Sequence, residues 1–229
     1  MNMHKGTKSE IVDYRRLRLS NINSVEFRHL WLLLFWAVFG IFFALVERGG
    51  VTSNFHIMYS PLDDLIPFCE FFLFPYLFWF VYLVGIHIYT LLFDVESFKK
   101  LMYFIIITYT VTMVIYFIYP TAQELRPTEF ARDNFLTRFI AGFYQFDTNT
   151  NVCPSIHVIG AVAVSAAAWH SKHFSTPIWR IVFSVQTVLI SMSTVFLKQH
   201  SVVDIAAAIP ICAVGWILVY GRRRSRKGA

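Results

Sequence analysis

The residues best suited to chemistry are His200 and Asp204, in a His-Ser-Val-Val-Asp segment late in the chain. If a helix begins here, residues four apart lie on one face, so the aspartate can accept an imidazole N–H and fix the tautomer. The opposite ring nitrogen then becomes the better nucleophile, and its attack on phosphorus would give a phosphohistidine. Asp204 also opens an apolar run, where an acid is costly unless it faces a partner or cavity. We therefore predict His200 as a nucleophile and Asp204 as its orienting group.

A second histidine and an arginine could complete this chemistry. His157 ends a Cys-Pro-Ser-Ile-His segment that predicts a helix start capped by Ser155. Protonated His157 could donate to a leaving alkoxide, and the free N–H groups of the helix start could bind an anion. Arg126, in an Arg-Pro pair upstream, carries a planar fork suited to phosphate oxygens. A neutral His200 and a protonated His157 predict a bell-shaped dependence of kcat/KM on pH.

The elements that position these residues are membrane helices. Hydrophobic residues make up 56% of the 229, and the mean hydropathy of +0.54 is far too high for a soluble domain of this size. Crossing the hydrocarbon takes roughly 20 apolar residues in a helix. The sequence predicts an all-α polytopic membrane protein with six transmembrane helices. The predicted spans are His29–Val46, Ile66–Phe93, Leu101–Tyr119, Ser155–Trp169, Ile178–Leu197 and Val202–Tyr220.

Charge predicts the orientation of these spans. An N-terminal tail (1–28) and a basic C-terminal tail (222–229) flank a membrane catalytic domain (29–221), and an even number of spans puts both tails on one side. The tails and the loops on their side hold 15 of the 20 lysines and arginines. We therefore predict cytoplasmic termini and an active site on the extracytoplasmic side.

Two segments between spans are predicted to lie at the membrane interface. Phe135–Phe146 is amphiphilic, as expected of a helix lying along the bilayer surface. The segment from Tyr59 to Leu65 holds Asp63 and Asp64, which are more typical of an exposed helix start than of a metal pair.

The three segments that contain Arg126, Ser155 with His157, and His200 with Asp204 resemble the signatures of the phosphatidic acid phosphatase type 2 superfamily. These signatures are Lys-x6-Arg-Pro, Pro-Ser-Gly-His and Ser-Arg-x5-His-x3-Asp, and the resemblance covers residues 119–204 in order and spacing. It implies six spans, no metal or other cofactor, and His200 as nucleophile. It likewise implies that Asp204 orients His200, that His157 is the leaving-group acid, and that Arg126 and Ser155 bind phosphate.

Three positions depart from the family pattern. Tyr119 stands in place of Lys, Thr194 in place of Arg, and Ile156 in place of Gly, so two expected cations are missing, although Lys198 could reach the phosphate from one helical turn away. A monoester carries nearly two negative charges and a diester one, so a less cationic pocket favours a diester. This is similar to the branch of inositol phosphorylceramide synthase and sphingomyelin synthase, which moves a phospho-headgroup between lipids. Tyr119, Ser193 and Thr194 remain possible site positions.

The predicted partners are a phospholipid substrate, an acceptor that is a lipid alcohol or water, and the bilayer, without nucleic acid. The sequence indicates neither the lipid nor the acceptor, nor the oligomeric state. Alternatives are a phosphatidate-type monoester phosphatase, a small transporter with Asp204, His200 and His157 as an ion or proton relay, and a haem or metal protein with bis-histidine ligation.

Overall fold

The computed structural model of the protein describes residues 11–221, and these residues are almost entirely helical. The predicted all-α class is confirmed. The helices are α1 (Leu34–Arg48), α2 (Pro61–Leu65), α3 (Leu73–Phe93), α4 (Val95–Ile118), α5 (Phe135–Phe146), α6 (Ile156–His170), α7 (Pro177–Phe196) and α8 (Val202–Val219). Short 3₁₀ turns cover Tyr14–Arg16, Leu19–Asn21, Arg28–Leu33 and Glu70–Phe72. Strands β1 (His56–Ile57) and β2 (Thr121–Ala122) form a parallel pair in which His56 faces Thr121.

Five of the described helices are long and apolar enough to cross a membrane, as expected of a polytopic membrane protein. They are Arg28–Arg48, Glu70–Phe93, Val95–Ile118, Pro177–Phe196 and Val202–Val219, the first two including their 3₁₀ turns. The remaining predicted span is the 15-residue helix α6, which extends about 22 Å at 1.5 Å per residue, less than the hydrocarbon thickness. The described residues therefore provide five full-length spans, one fewer than the six that were predicted.

Helix α6 is short because it lies inside the bundle. It packs against α3, α4, α7 and α8, and ten of its 15 residues are buried, most of them alanine or another small residue. At Gly160 a Cβ atom would lie 2.6 Å from the Tyr109 hydroxyl and 3.0 Å from the indole nitrogen of Trp79. The small residues therefore allow the close approach that the sequence indicated.

The apolar helices run alternately up and down, which brings the predicted chemical residues to one end. Where α6 begins, the Ser155 amide donates to the carbonyl of Asp204 (3.2 Å), and the Tyr116 hydroxyl at the end of α4 donates to the carbonyl of Pro154 (2.6 Å). We call this end of the bundle the α6-start end.

The opposite end holds both ends of the described chain. The Tyr14 hydroxyl donates to the carbonyl of Leu91 (2.8 Å), and the His170 ring stacks on Tyr220 with centroids 4.4 Å apart. Of the predicted tails, residues 1–10 and 222–229 lie outside the described residues.

Short elements cover the α6-start end. Helix α5 has the predicted bounds and is capped by Asn134, whose side chain accepts from the amides of Leu136 and Thr137. Phe135 and Phe146 are exposed while Ile140 is buried, so α5 keeps an apolar outer face. Helix α2 begins at Pro61 behind a Ser60 cap, which confirms the predicted helix start.

Candidate active site

His200 and Asp204 are in contact, and both are buried. Nδ1 of His200 lies 3.0 Å from Oδ2 of Asp204, which also accepts from the Ser201 amide at 3.0 Å. The exposed fraction is 6% for His200 and 0% for Asp204. The backbone amide of His200 donates to the carbonyl of Thr194 at the end of α7 (3.1 Å), so the ring is fixed from both helices. A carboxylate accepts only, so Nδ1 carries the proton and Nε2 is left with its lone pair.

Ser155 connects this pair to the start of α6. Its hydroxyl lies 3.3 Å from Nε2 of His200 and caps α6 by accepting from the Val158 amide (3.5 Å). Its own amide binds the carbonyl of Asp204. Ser155 is therefore both the predicted helix cap and a hydroxyl beside the proposed nucleophile.

His157 faces His200 across the same site. The two rings are arranged edge to face with centroids 5.5 Å apart. The aromatic rings of Tyr76 and Trp79 lie against His157 at 4.7 and 4.6 Å, and its Nδ1 is buried without a hydrogen-bond partner. Aromatic packing therefore holds the second histidine in place.

Both histidines line a small cavity, which we call the inner cavity, of about 40 Å³. Its other lining residues are Phe43, Glu47, Tyr76, Tyr116, Asp147, Thr148, Thr150, Asn151, Val152, Ile156 and Gln199. A wider outer cavity of about 460 Å³ shares Glu47, Asp147, Thr148 and Thr150 with it. Within residues 11–221, no lysine or arginine lines the inner cavity.

Two carboxylates of the inner cavity were not predicted as site residues. Glu47, on the last turn of α1, accepts from the hydroxyls of Thr148 and Thr150. Burial raises the pKa of Asp147, and nearby Arg126 opposes the rise. An acid at the end of an apolar run is the signal that identified Asp204, and it also applies to Glu47.

Arg126 lies behind the inner cavity and is part of the lining of the outer one. Its Nη1 donates to the carbonyls of Tyr144 (3.0 Å) and Asp147 (2.9 Å), and its Nη2 donates to the carbonyl of Thr148 (2.8 Å) and to Oε1 of Gln199 (2.5 Å). Burial lowers its pKa, and Asp147 opposes this. All four terminal N–H groups are thus engaged, and Arg126 joins the loop after α5 to Gln199 instead of presenting a free fork to phosphate.

Four other predicted or possible site residues, Lys198, Tyr119, Ser193 and Thr194, are not among the described residues that line the inner cavity. The Lys198 ammonium donates to the carbonyls of Asp63 (2.6 Å) and Ile66 (2.5 Å), and burial lowers its pKa. The Tyr119 ring stacks on His56 with centroids 4.0 Å apart. The Ser193 and Thr194 hydroxyls donate to carbonyls of their own helix.

Asp63 has a role that was not predicted. The expectation of an exposed acid is wrong, since only 2% of the residue is exposed. Its carboxylate accepts from the Ser201 hydroxyl (2.6 Å) and from the Val202 amide (2.8 Å), which ties α2 to the start of α8. Asp64 instead accepts from the Tyr59 hydroxyl (2.5 Å). Among residues 11–221 no group of three or more His, Cys, Asp or Glu side chains is arranged to hold a metal ion.

No family model, curated protein or solved structure matches the chain. The resemblance of the three motifs therefore stays a prediction, and the function has to be argued from the geometry of the site.

Proposed function

We propose that the protein is a membrane enzyme that transfers a phospho-headgroup from a lipid phosphodiester, with His200 as the nucleophile. The observation that carries the proposal is the bond between Nδ1 of His200 and Asp204, which leaves the Nε2 lone pair free in a residue that lines a cavity together with His157. This is the arrangement of nucleophile, orienting group and acid that covalent phosphoryl transfer needs.

The reaction has two balanced steps. Nε2 of His200 forms a bond to phosphorus, the bond from phosphorus to the lipid oxygen breaks, and protonated His157 gives its proton to that oxygen. An acceptor hydroxyl, from a lipid alcohol or from water, then bonds to phosphorus while the N–P bond breaks. The acceptor's proton returns to His157, which restores the enzyme. Asp204 stabilises the positive charge that His200 acquires in the first step.

The charges around the inner cavity favour a diester over a monoester. Glu47 and Asp147 line the cavity, and among residues 11–221 no lysine or arginine lines it with them. Arg126 pairs with Asp147 at 3.7 Å from outside this lining. A monoester with nearly two negative charges is repelled more strongly by these carboxylates than a diester with one. A phosphatidate-type monoester phosphatase is therefore the second candidate.

The position of the site supports catalysis more than transport. Glu47, Asp147, His157 and His200 lie together at the α6-start end, whereas a relay needs ionisable groups along the whole membrane path. The described chain begins and ends at the opposite end of the bundle, where Tyr14 contacts Leu91 and His170 contacts Tyr220. Since the basic tails continue from these ends in sequence, we propose that the site is at the extracytoplasmic leaflet and the termini are in the cytoplasm.

The test is turnover by the purified full chain in detergent. Phosphatidate, phosphatidylinositol, phosphatidylcholine and phosphatidylethanolamine are each supplied with and without ceramide or diacylglycerol, and headgroup release or transfer is measured for wild type, His200→Ala and His173→Ala. His173 is exposed and does not line either cavity, so it is the matched control. We expect diester turnover that is lost only in His200→Ala. Phosphate release from phosphatidate alone would establish the monoester phosphatase, and equal turnover in His200→Ala would contradict the proposal.

A further inference from the structure

We infer that the side-chain amides of Asn151 and Gln199 bind the phosphoryl oxygens of the substrate, as neutral donors in place of the cations missing from the site. This inference rests on the proposed function and goes beyond it by assigning the phosphate contacts to two residues that the three motifs do not specify. It also names the ligand class as a singly charged phosphodiester.

Asn151 carries a buried side-chain amide. Only 4% of the residue is exposed, it lines the inner cavity, and among residues 11–221 neither its Nδ2 nor its Oδ1 has a partner at normal hydrogen-bond geometry. The Glu47 carboxylate lies close enough to accept weakly from this amide. The backbone of Asn151 is held in the left-handed region at φ 51°, and its backbone N–H donates to the carbonyl of Thr121. Buried polar groups are rarely left unpaired, and strained residues of this kind concentrate at ligand sites.

Gln199 is the second amide, and its orientation is fixed. Only 3% of the residue is exposed. Arg126 only donates hydrogen bonds, so the atom that it contacts must be the amide oxygen Oε1. The Nε2 group is therefore the free end, and it is buried without a partner in a residue that lines the inner cavity. Through this contact Arg126 polarises the side-chain amide of Gln199, although Arg126 does not itself line the inner cavity.

The chemistry of these donors selects the ligand. An amide N–H binds a phosphoryl oxygen without adding charge, so two amides suit a phosphate that carries one negative charge. Two full charges beside Glu47 and Asp147 would need cations. The Ser155 hydroxyl lies 3.3 Å from Nε2 of His200, so it is a further neutral donor next to the proposed nucleophile. A hydrogen bond to a charged group corresponds to about a 10- to 100-fold change in kcat/KM.

The test compares variants that remove the hydrogen-bond donor with variants that replace it by a carboxylate, which only accepts hydrogen bonds. Asn151→Gly removes the amide and tolerates the left-handed backbone, whereas Asn151→Asp keeps the shape but offers only acceptors. Gln199→Ala and Gln199→Glu make the same comparison at the second position. Asn54 is the matched control, since it has φ 59°, is exposed and lines neither cavity. Asn54→Gly and Asn54→Asp carry the same two changes.

With the best diester substrate, we expect kcat/KM to fall about 10- to 100-fold in Asn151→Gly and Gln199→Ala and at least as far in the two acidic variants. We expect both Asn54 variants to stay within about twofold of wild type. KM is measured separately because it does not depend on the folded fraction of a sample, and it should rise in all four site variants. Unchanged KM in these four, or full activity in Asn151→Asp, would overturn the inference. Failure of the proposed function is distinguishable, since His200→Ala would then be as active as wild type.

Discussion

Two buried aspartates at opposite ends of α6 are used in different ways. Asp94 caps α4 and accepts from the Ser97 hydroxyl (2.9 Å), the Ser97 amide (3.3 Å) and the Lys172 amide (3.0 Å). Asp204, in the first turn of α8, accepts from His200 and the Ser201 amide through one oxygen, and the Cys153 thiol lies beside the carboxylate. Both residues are almost fully buried.

The difference shows how to separate a structural acid from a functional one. The carboxylate of Asp94 binds only its own helix start and the loop between α6 and α7, so it holds the backbone together. The carboxylate of Asp204 binds the imidazole of His200, which lines the inner cavity. The same carboxylate lies beside the Cys153 thiol. Burial raises the pKa of this thiol to about 12, and Asp204 contributes to the rise. Burial alone does not distinguish the two; the partners do.

The largest effect is expected for Asp204→Asn. The amide can present an N–H to Nδ1 of His200, which moves the imidazole proton to Nε2 and removes the nucleophilic lone pair. We expect kcat to fall about 10⁴-fold, which is the effect of holding a triad base in the wrong tautomer. The measurement is diester turnover, with thermal unfolding in detergent as a check on folding. A fall of less than about fivefold would mean that Asp204 is as structural as Asp94.

An intermediate effect is expected for Asp63→Asn. Asp63 accepts from both Ser201 and Val202, and an amide can accept at only one of these positions, so the start of α8 should shift slightly. We expect kcat to fall roughly tenfold with KM nearly unchanged, because small misplacements of a reacting group are costly. Asp64→Asn, next to it on the exposed side of α2, is the control and should keep full kcat. Equal loss in both variants would count against a positioning role for Asp63.

The smallest effect on activity is expected for Asp94→Asn. We expect kcat within about twofold of wild type but a loss of about 1–3 kcal/mol in unfolding free energy, because at least one buried donor loses its acceptor. Thermal unfolding in detergent measures this. Asp133→Asn is the control, since the exposed ion pair of Asp133 with Arg138 is screened by solvent and should contribute little to stability. Strong loss of activity in folded Asp94→Asn would remove the contrast between the two aspartates.

Local patterns in the sequence were sufficient for part of the fold and of the site. The four-residue spacing of His200 and Asp204 predicted their contact, and the amphiphilic segment Phe135–Phe146 predicted α5 with its bounds. The apolar runs predicted most bounds of the membrane helices within a few residues, but α4 begins at Val95, six residues before the predicted Leu101, behind its Asp94 cap. The small residues of α6 predicted close packing, but α6 is shorter than the hydrocarbon thickness because neighbouring helices surround it.

The remaining contacts depend on residues far apart in the chain, which no local pattern encodes. The Lys198 ammonium binds the carbonyl of Asp63, which is far from Lys198 in the sequence. Arg126 was expected at phosphate but binds the loop after α5 and Gln199. Asn151 and Gln199 were missed because a neutral amide in a polar loop has no distinguishing spacing or charge. Their signal is burial without a partner, which only the folded structure provides.

The most direct test of the account is detection of the covalent intermediate. Wild-type enzyme is mixed with the diester substrate in the absence of a lipid alcohol, quenched in alkali within the first turnover, and digested for mass spectrometry. We predict that the peptide containing His200 gains the mass of the phospho-headgroup, and that the adduct is labile to acid and absent from His200→Ala. Turnover without an adduct on His200, or the same adduct in His200→Ala, would contradict His200 as the nucleophile.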